Sequence, residues 1–307
     1  MIELSEVSKS FGDVVAISRL TMSVKPSSIT GFLGPNGAGK STTLKLIMGE
    51  IRQDAGTVSI NGENPFNNAK LKNEIGYVSE HEDLYPWMKG KQFVESFGRL
   101  LLPREQAKVA AERAIKRVGL SAGDKRIGAY SKGMKQRLKV AAAITHNPSI
   151  LILDEPFGGL DPLGRKNMKG LVSELNGDLG VTILISSHIL YELDEMANRM
   201  IMIHRGQSLA EGTPEEILGL IDQFPHQILF QASYSELQKL SISLIQANLV
   251  NDLRFTNSGQ SPDLIATTEN PGKFYSHVTK IIAEKQIRIK HLESRTDNIE
   301  AIFEFLT

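Results

Sequence analysis

The stretch "GPNGAGKS", Gly34 to Ser41, constrains this chain more than any other feature. It fits the pattern G-x-x-x-x-G-K-[ST]. The apolar "ITGFL" before it predicts a strand, and "TTLKLIM" after it predicts a helix beginning at about Ser41. Glycines in such a loop let successive backbone N–H groups turn inward around a phosphate. The following helix adds its positive N-terminal end. Lys40 can then reach the β- and γ-phosphates of a nucleotide, and the Ser41 hydroxyl can ligate Mg²⁺. The alternative, a chance glycine turn, leaves the flanking strand and helix without a purpose.

A phosphate loop of this kind needs a second strand that ends in an acid, to hold the metal through its water shell. The stretch "ILILDEPFGGLDP", Ile150 to Pro162, supplies one: an apolar run closes on Asp154 and Glu155. Two adjacent carboxylates at the tip of a buried strand are expensive unless they are compensated. For Asp154 a dication and Lys40 provide that compensation. Glu155, one residue on, points to a different side and is placed to polarise a water behind the γ-phosphate. The other reading of Glu155 is a solvated or helix-capping acid.

The rest of the sequence bounds the class. Its 307 residues, 41% hydrophobic and 23% charged, are globular usage and suit one large domain plus a small one. Lys+Arg and Asp+Glu are equal at 35 each, so no basic field points to nucleic acid as a partner. The absence of cysteine excludes disulfides, thiolate metal sites and a cysteine nucleophile, and fits a reducing compartment. The start "MIELSEVSKSFGD" has neither the basic head nor the apolar core of a signal peptide. No run reaches the ~20 apolar residues that a membrane-spanning helix needs. The chain is therefore expected in the cytoplasm, with any membrane role exercised through a partner.

Strands alternate with helices over most of the length, which predicts an α/β core with a largely parallel sheet. Residues 86 to about 146 read as mostly helical. There "REQAKVAAERAIKRVGL" puts Val109, Ala110, Ala114 and Val118 near one face, with Gly119 as the stop. "ILYELDEMA" reads as a further helix, and "RMIMIHRGQSLAEG" as a hairpin. The pattern changes after about Ile221. From there the order is strand, helix, two short strands, helix "GKFYSHVTKIIAEK", strand "IRIKHLE" and closing helix "DNIEAIFEFL", a ferredoxin-like βαββαβ signature. The alternative there is an irregular helical tail.

The ordered set "GPNGAGKST", "YSKGMKQRL", "ILILDEP", "GLDP" and "ISSH" resembles the ATP-binding cassette (ABC) family over roughly residues 1–220. The implied fold is a phosphate-loop cassette, a mixed-sheet core with a helical subdomain at about 86–146. Residues 221–307 then form a small ferredoxin-like α+β accessory domain. In this family two cassettes sandwich two ATP molecules head to tail, with Mg²⁺. The resemblance implies ATP contacts from Gly34, Pro35, Asn36, Gly37, Ala38, Gly39, Lys40, Ser41 and Thr42, and metal contacts from Ser41 and Asp154. It makes Glu155, His188 and Lys40 the catalytic set, with His188 a switch histidine on the γ-phosphate. Ser131 and Gly133, in the place of the family signature LSGGQ, and Asp161 would act on ATP held by the partner subunit. Tyr130, Lys132 and Met134 depart from that signature; by itself Ser131 also reads as a helix cap.

Two further positions depart from the family. The adenine-stacking aromatic would be Phe11, which offers no hydroxyl and also reads as core. The residue that is usually the Q-loop glutamine is Glu80, a possible metal ligand that also reads as a solvated loop acid. Glu80, "SKGMKQR" and the appended C-terminal region together resemble the drug- and antibiotic-resistance exporter branch. The implied partners are a second cassette subunit, expected to be identical, and a membrane permease touching Glu80 to Lys91, where Trp87 is an attractive contact that also reads as core. The implied location is the inner face of the cell membrane. A soluble ABC ATPase, of the iron–sulfur assembly or translation type, is the alternative, and a phosphate-loop kinase would leave "YSKGM" and "ISSH" unexplained.

Overall fold

The computed structural model describes residues 1–81, 84–121, 123–217, 226–258 and 261–294. The chain divides into two compact units, 1–215 and 216–307. The expected join at about 220 and the expected closing helix at 297–306 lie outside the described residues.

In the first unit, β1 (Ile2–Phe11), β2 (Val14–Val24) and β4 (Ala55–Ile60) form an antiparallel sheet of order β2-β1-β4. A second sheet has the order β5-β6-β7-β3-β8-β9. It comprises β3 (Ile29–Leu33), β5 (Ile75–Val78), β6 (Ile150–Asp154), β7 (Thr182–Ser187), β8 (Arg199–His204) and β9 (Gln207–Gly212). Its pairings are parallel except β8 with β9. Every residue of β3, β6 and β7 is buried, so these strands are continuous apolar runs rather than alternating ones. Each fully buried Leu or Ile there contributes about 1.5–3 kcal/mol.

The order of this sheet sets the site. The strand before the phosphate loop and the strand carrying the acids are not neighbours: β7 lies between them, with Leu33 opposite Ser187 and Asp154 opposite Ser186. Three loops therefore leave the carboxyl ends of three adjacent parallel strands, where α/β sheets bind their ligands.

The helices are α1 (Lys40–Ile47), the short α2 (Ala69–Lys72), α3 (Gly90–Gly98), α4 (Arg104–Arg117), α5 (Lys132–Ile144) and α6 (Pro162–Leu179). The expected helical stretch 86–146 holds α3, α4 and α5. The buried face of α4 is Ala107, Ala111, Ala114 and Ile115, and Val118 follows it into the core. Val109, expected on that face, is exposed, because the stripe is set by the contacts with α3 and α5 and is rotated from the apolar count. Gly119, at φ 65°, ends the helix as expected. The helix expected from "ILYELDEMA" is instead a single 3₁₀ turn, Leu190–Glu192, followed by further turns. There the Ser187 hydroxyl bonds Ile189 and Glu192, which competes with a regular helical start. The expected hairpin is present: Arg205 and Gly206, both at positive φ, turn β8 into β9.

The second unit runs β10 (His226–Gln231), α7 (Tyr234–Gln246), β11 (Asp252–Ser258), β12 (Ser261–Thr268), α8 (Pro271–Glu284) and β13 (His291–Ser294). Its antiparallel sheet has the order β11-β12-β10-β13. Phe230 and Phe274, fully buried and 6.3 Å apart between ring centres, lie in its core.

Candidate functional site

The phosphate loop spans the end of β3 and the start of α1. Gly37 and Gly39 hold φ of 82° and 105°. At Gly39 a side chain would in addition come within 2.7 Å of Ile17 and 2.8 Å of the Ala16 carbonyl, so only glycine fits. The β8–β9 hairpin braces the loop from outside: Gly206 N–H donates to the Ala38 carbonyl at 2.9 Å. Lys40 is 7% exposed and donates to the carbonyls of Gly34, at 2.6 Å, and Pro35, at 3.3 Å.

The two acids diverge as their adjacency requires. Asp154, buried, accepts a short hydrogen bond from Ser186 on β7. Its other oxygen lies 3.4 Å from both the Ser41 hydroxyl and the Tyr77 hydroxyl. Glu155 turns the opposite way, with Oε1 3.3 Å from the Lys40 ammonium and Oε2 2.8 Å from His188 Nδ1. The Lys40 contact is between charges without hydrogen-bond alignment, so Glu155 Oε1 keeps its accepting capacity. Glu155 also sits at φ 47°, a left-handed conformation that costs a non-glycine residue of order 1–3 kcal/mol. Its N–H is held by Ser186, both by the hydroxyl at 3.0 Å and by the carbonyl at 3.3 Å. The strain is thus imposed by β7.

A cleft of about 240 Å³ opens here. Pro35, Asn36, Gly37, Gly39, Lys40, Ser41 and Thr42 line one side, Glu80, Asp154 and Glu155 another, and Val14, Val15 and Ala16 a third. Glu80 is thereby brought to the same cleft as Ser41 and Asp154. These are hard oxygen donors, and among the described residues no three acidic or histidine side chains close into a metal cage. Such a set suits a cation that takes its other ligands from phosphates and water.

The remaining expected residues stand apart from the cleft wall. Phe11 is half exposed at the end of β1, with the Lys9 ammonium 5.5 Å from its ring centre. The strand it pairs with, β2, supplies Val14 to Ala16 to the cleft. Ser131 caps α5, its hydroxyl accepting from Met134 N–H at 3.3 Å, and Asp161 caps α6, accepting from Gly164 N–H at 2.9 Å. Both are exposed, and Gly133 has open space beyond its Cα. Lys132, one of the departures, lays its ammonium over Gly159 and so joins the Ser131 turn to the loop that carries Asp161. Trp87 is 68% exposed and pairs with the exposed Tyr85 at 5.3 Å between ring centres, so it is not core.

Lys139 was not singled out in the sequence. It is 8% exposed on α5, and its ammonium donates to the carbonyls of Ser79 and His81, on either side of Glu80. The signal was there: Lys139 stands on the face that buries Ala142 and Ala143, where a lysine needs carbonyl partners. Ser186 lies within "ISSH" but its bonds to Asp154 and Glu155 cross from another strand, and nothing in the local sequence marks Glu192.

The sequence matches the family model described as ABC transporter over residues 17–158. It is 37% identical over 213 residues to the bacitracin transport ATP-binding protein BcrA of Bacillus licheniformis, covering 69% of each chain. Linearmycin resistance ATP-binding protein LnrL of Bacillus subtilis is 30% identical along 100% of this chain and 98% of its own. Among solved structures, cbiO1 of Clostridium perfringens, part of the transporter complex cbiONQ, superposes with a TM-score of 0.66. That match is 28% identical and covers 71% of this chain and 90% of the other.

Proposed function

Because this chain belongs to the ABC transporter family, as an ATP-binding and ATP-hydrolysing subunit, we propose that it powers export by a separate membrane permease. The observation that carries the reading is the convergence of Lys40, Ser41, Asp154 and Glu155 on one cleft, with His188 on Glu155. Relatives named for bacitracin transport and linearmycin resistance favour export of an antibiotic cargo.

In this reading the phosphates of ATP lie along Gly34 to Thr42, bound by inward N–H groups and the Lys40 ammonium. Ser41, Asp154 and Glu80 would hold Mg²⁺, which would supply neutralisation of phosphate charge. Glu155 orients the attacking water and accepts its proton. His188 leaves Glu155 for the terminal phosphate as the site closes. Phe11 offers its exposed ring to the adenine. Ser131, Gly133 and Asp161 complete the site of an identical partner subunit. An identical partner is testable by complementation: a Ser131→Arg chain mixed with a Lys40→Ala chain should regain hydrolysis. One of the two composite sites is then intact, and a mixture no more active than either variant alone would contradict the trans geometry.

Glu80 carries a second expectation. If it is a metal-side ligand, Glu80→Gln should keep hydrolysis within about tenfold, roughly 1.4 kcal/mol of barrier, while requiring more Mg²⁺. Superimposable Mg²⁺ titrations for the two proteins would remove Glu80 from the metal set.

The permease contact is proposed at 80–91, excepting residues 82 and 83, which lie outside the described residues. Exposed Tyr85 and Trp87 stand there beside an apolar groove of about 180 Å³ lined by Tyr77, Phe93, Phe97 and Lys139. Among the described residues no helix is long and apolar enough to cross a membrane. A peripheral position on the inner face, attached through the permease, follows from this reading. The accessory unit, at about 221–307, contributes none of the proposed site residues.

A further inference from the structure

Glu192 is a buried carboxylate that this chemistry leaves unused. It is 6% exposed and ends the 3₁₀ turn four residues after His188. The turn is anchored by Leu193, fully buried against β3 at Gly31, where any side chain would collide with it. So placed, Glu192 Oε2 accepts from the Ser187 hydroxyl at 2.8 Å. The same Ser187 oxygen accepts from Ile189 N–H at 2.9 Å. Ser187 and Ile189 are the two neighbours of His188, so one hydroxyl, itself oriented by Glu192, pins the peptide on both sides of the imidazole.

We propose that Glu192 is a positioning residue for His188: through Ser187 it fixes the turn that aims the imidazole at the terminal phosphate. The inference rests on the reading of His188 given above. A buried acid is a costly way to hold a hydroxyl, and a charged acceptor is the stronger and more directional one. Its surroundings act on that charge in both directions. Burial pushes the Glu192 carboxyl above the usual glutamate range, the Ser187 hydroxyl and the Arg165 guanidinium draw it back, and Glu155 and His188 act in opposite senses. Arg165 also donates to the Leu160 carbonyl at 3.2 Å, in the loop that carries Asp161. The cation that steadies Glu192 therefore also holds the loop proposed to reach the partner subunit.

The test is steady-state ATP hydrolysis by the full chain in Glu192→Ala, Glu192→Gln, His188→Ala and the double alanine variant, with ATP affinity from calorimetry. Glu192→Ala should lower kcat roughly 10–100-fold, the worth of one hydrogen bond to a charged group, with KM for ATP within about threefold. Glu192→Gln keeps the acceptor and should recover most of that loss. The double variant should be no slower than His188→Ala alone, because both changes remove one function. Wild-type turnover in Glu192→Ala, or losses that multiply in the double variant, would overturn the proposal. If Glu192→Ala does not fold, Ser187→Ala cuts the same bond from the other end and is held to the same outcomes. Full activity in His188→Ala would instead remove the switch reading, and this inference with it, whatever Glu192 does.

Discussion

Glu155→Gln is expected to bind ATP and to hydrolyse it roughly 10²–10⁴-fold more slowly, the usual worth of a positioned general base. An amide cannot accept the proton of the attacking water. The geometry sharpens the expectation. Glu155 Oε1 lies 3.3 Å from the Lys40 ammonium and Oε2 2.8 Å from His188. Neutralising the carboxylate therefore also releases Lys40 toward the phosphates and removes a negative charge that opposes the γ-phosphate. Binding should be retained or strengthened while chemistry fails. The variant should accumulate as an ATP-bound dimer on gel filtration, with no burst of phosphate in a single-turnover experiment. Turnover at the wild-type rate would assign the base to another residue. The strained φ of 47° at Glu155 adds a control. Glutamine has the same backbone tolerance as glutamate, so the melting temperature should fall only by what the lost charge opposite Lys40 costs, and retained ATP binding separates the loss of chemistry from any loss of fold.

Lys40→Ala has the second large effect, on affinity rather than on the chemical step. Hydrogen bonds to charged groups are worth about 1.5–3 kcal/mol each, so loss of the ammonium should weaken ATP binding by at least roughly tenfold to a hundredfold. Hydrolysis should fall below detection at cellular ATP concentrations. The fold should be slightly weakened as well. Lys40 is a buried cation facing the largely buried Glu155, and removing one partner of such a pair leaves an uncompensated charge. Calorimetric titration with ATP decides the matter, and affinity equal to wild type would sink the phosphate-loop assignment. Lys40→Arg is not a conservative control. The ammonium threads between the Gly34 and Pro35 carbonyls, a place sized for a slender point charge and not for a planar fork.

The phosphate loop, the acid pair and the β8–β9 hairpin were legible in the chain because each is written in contiguous residues whose local physics admits few outcomes. Positive φ at Gly37 and Gly39 needs glycine, a buried parallel strand reads as an unbroken apolar run, and Arg-Gly between two strand-forming segments makes a tight turn. The βαββαβ order of the second unit followed from the same periodicity. Ser131 and Asp161 were legible only as motif positions; within one chain they are helix caps, and their proposed trans roles need a partner surface.

The tertiary structure decided what depends on residues far apart in the chain. The sheet order places β7 between β3 and β6, which brings Ser186 to Asp154, 32 positions away, and forces Glu155 into its strained turn. Lys139 reaches back 60 positions to the carbonyl of Ser79, beside Glu80. The expected helix after His188 gave way to a 3₁₀ turn because Ser187 found Glu192 and Leu193 found Gly31. Local propensity is worth a few tenths of a kcal/mol per residue, whereas a buried carboxylate or ammonium must find its partners or lose several kcal/mol. Where the two conflict, burial wins, and burial is known only once the sheet has been assembled.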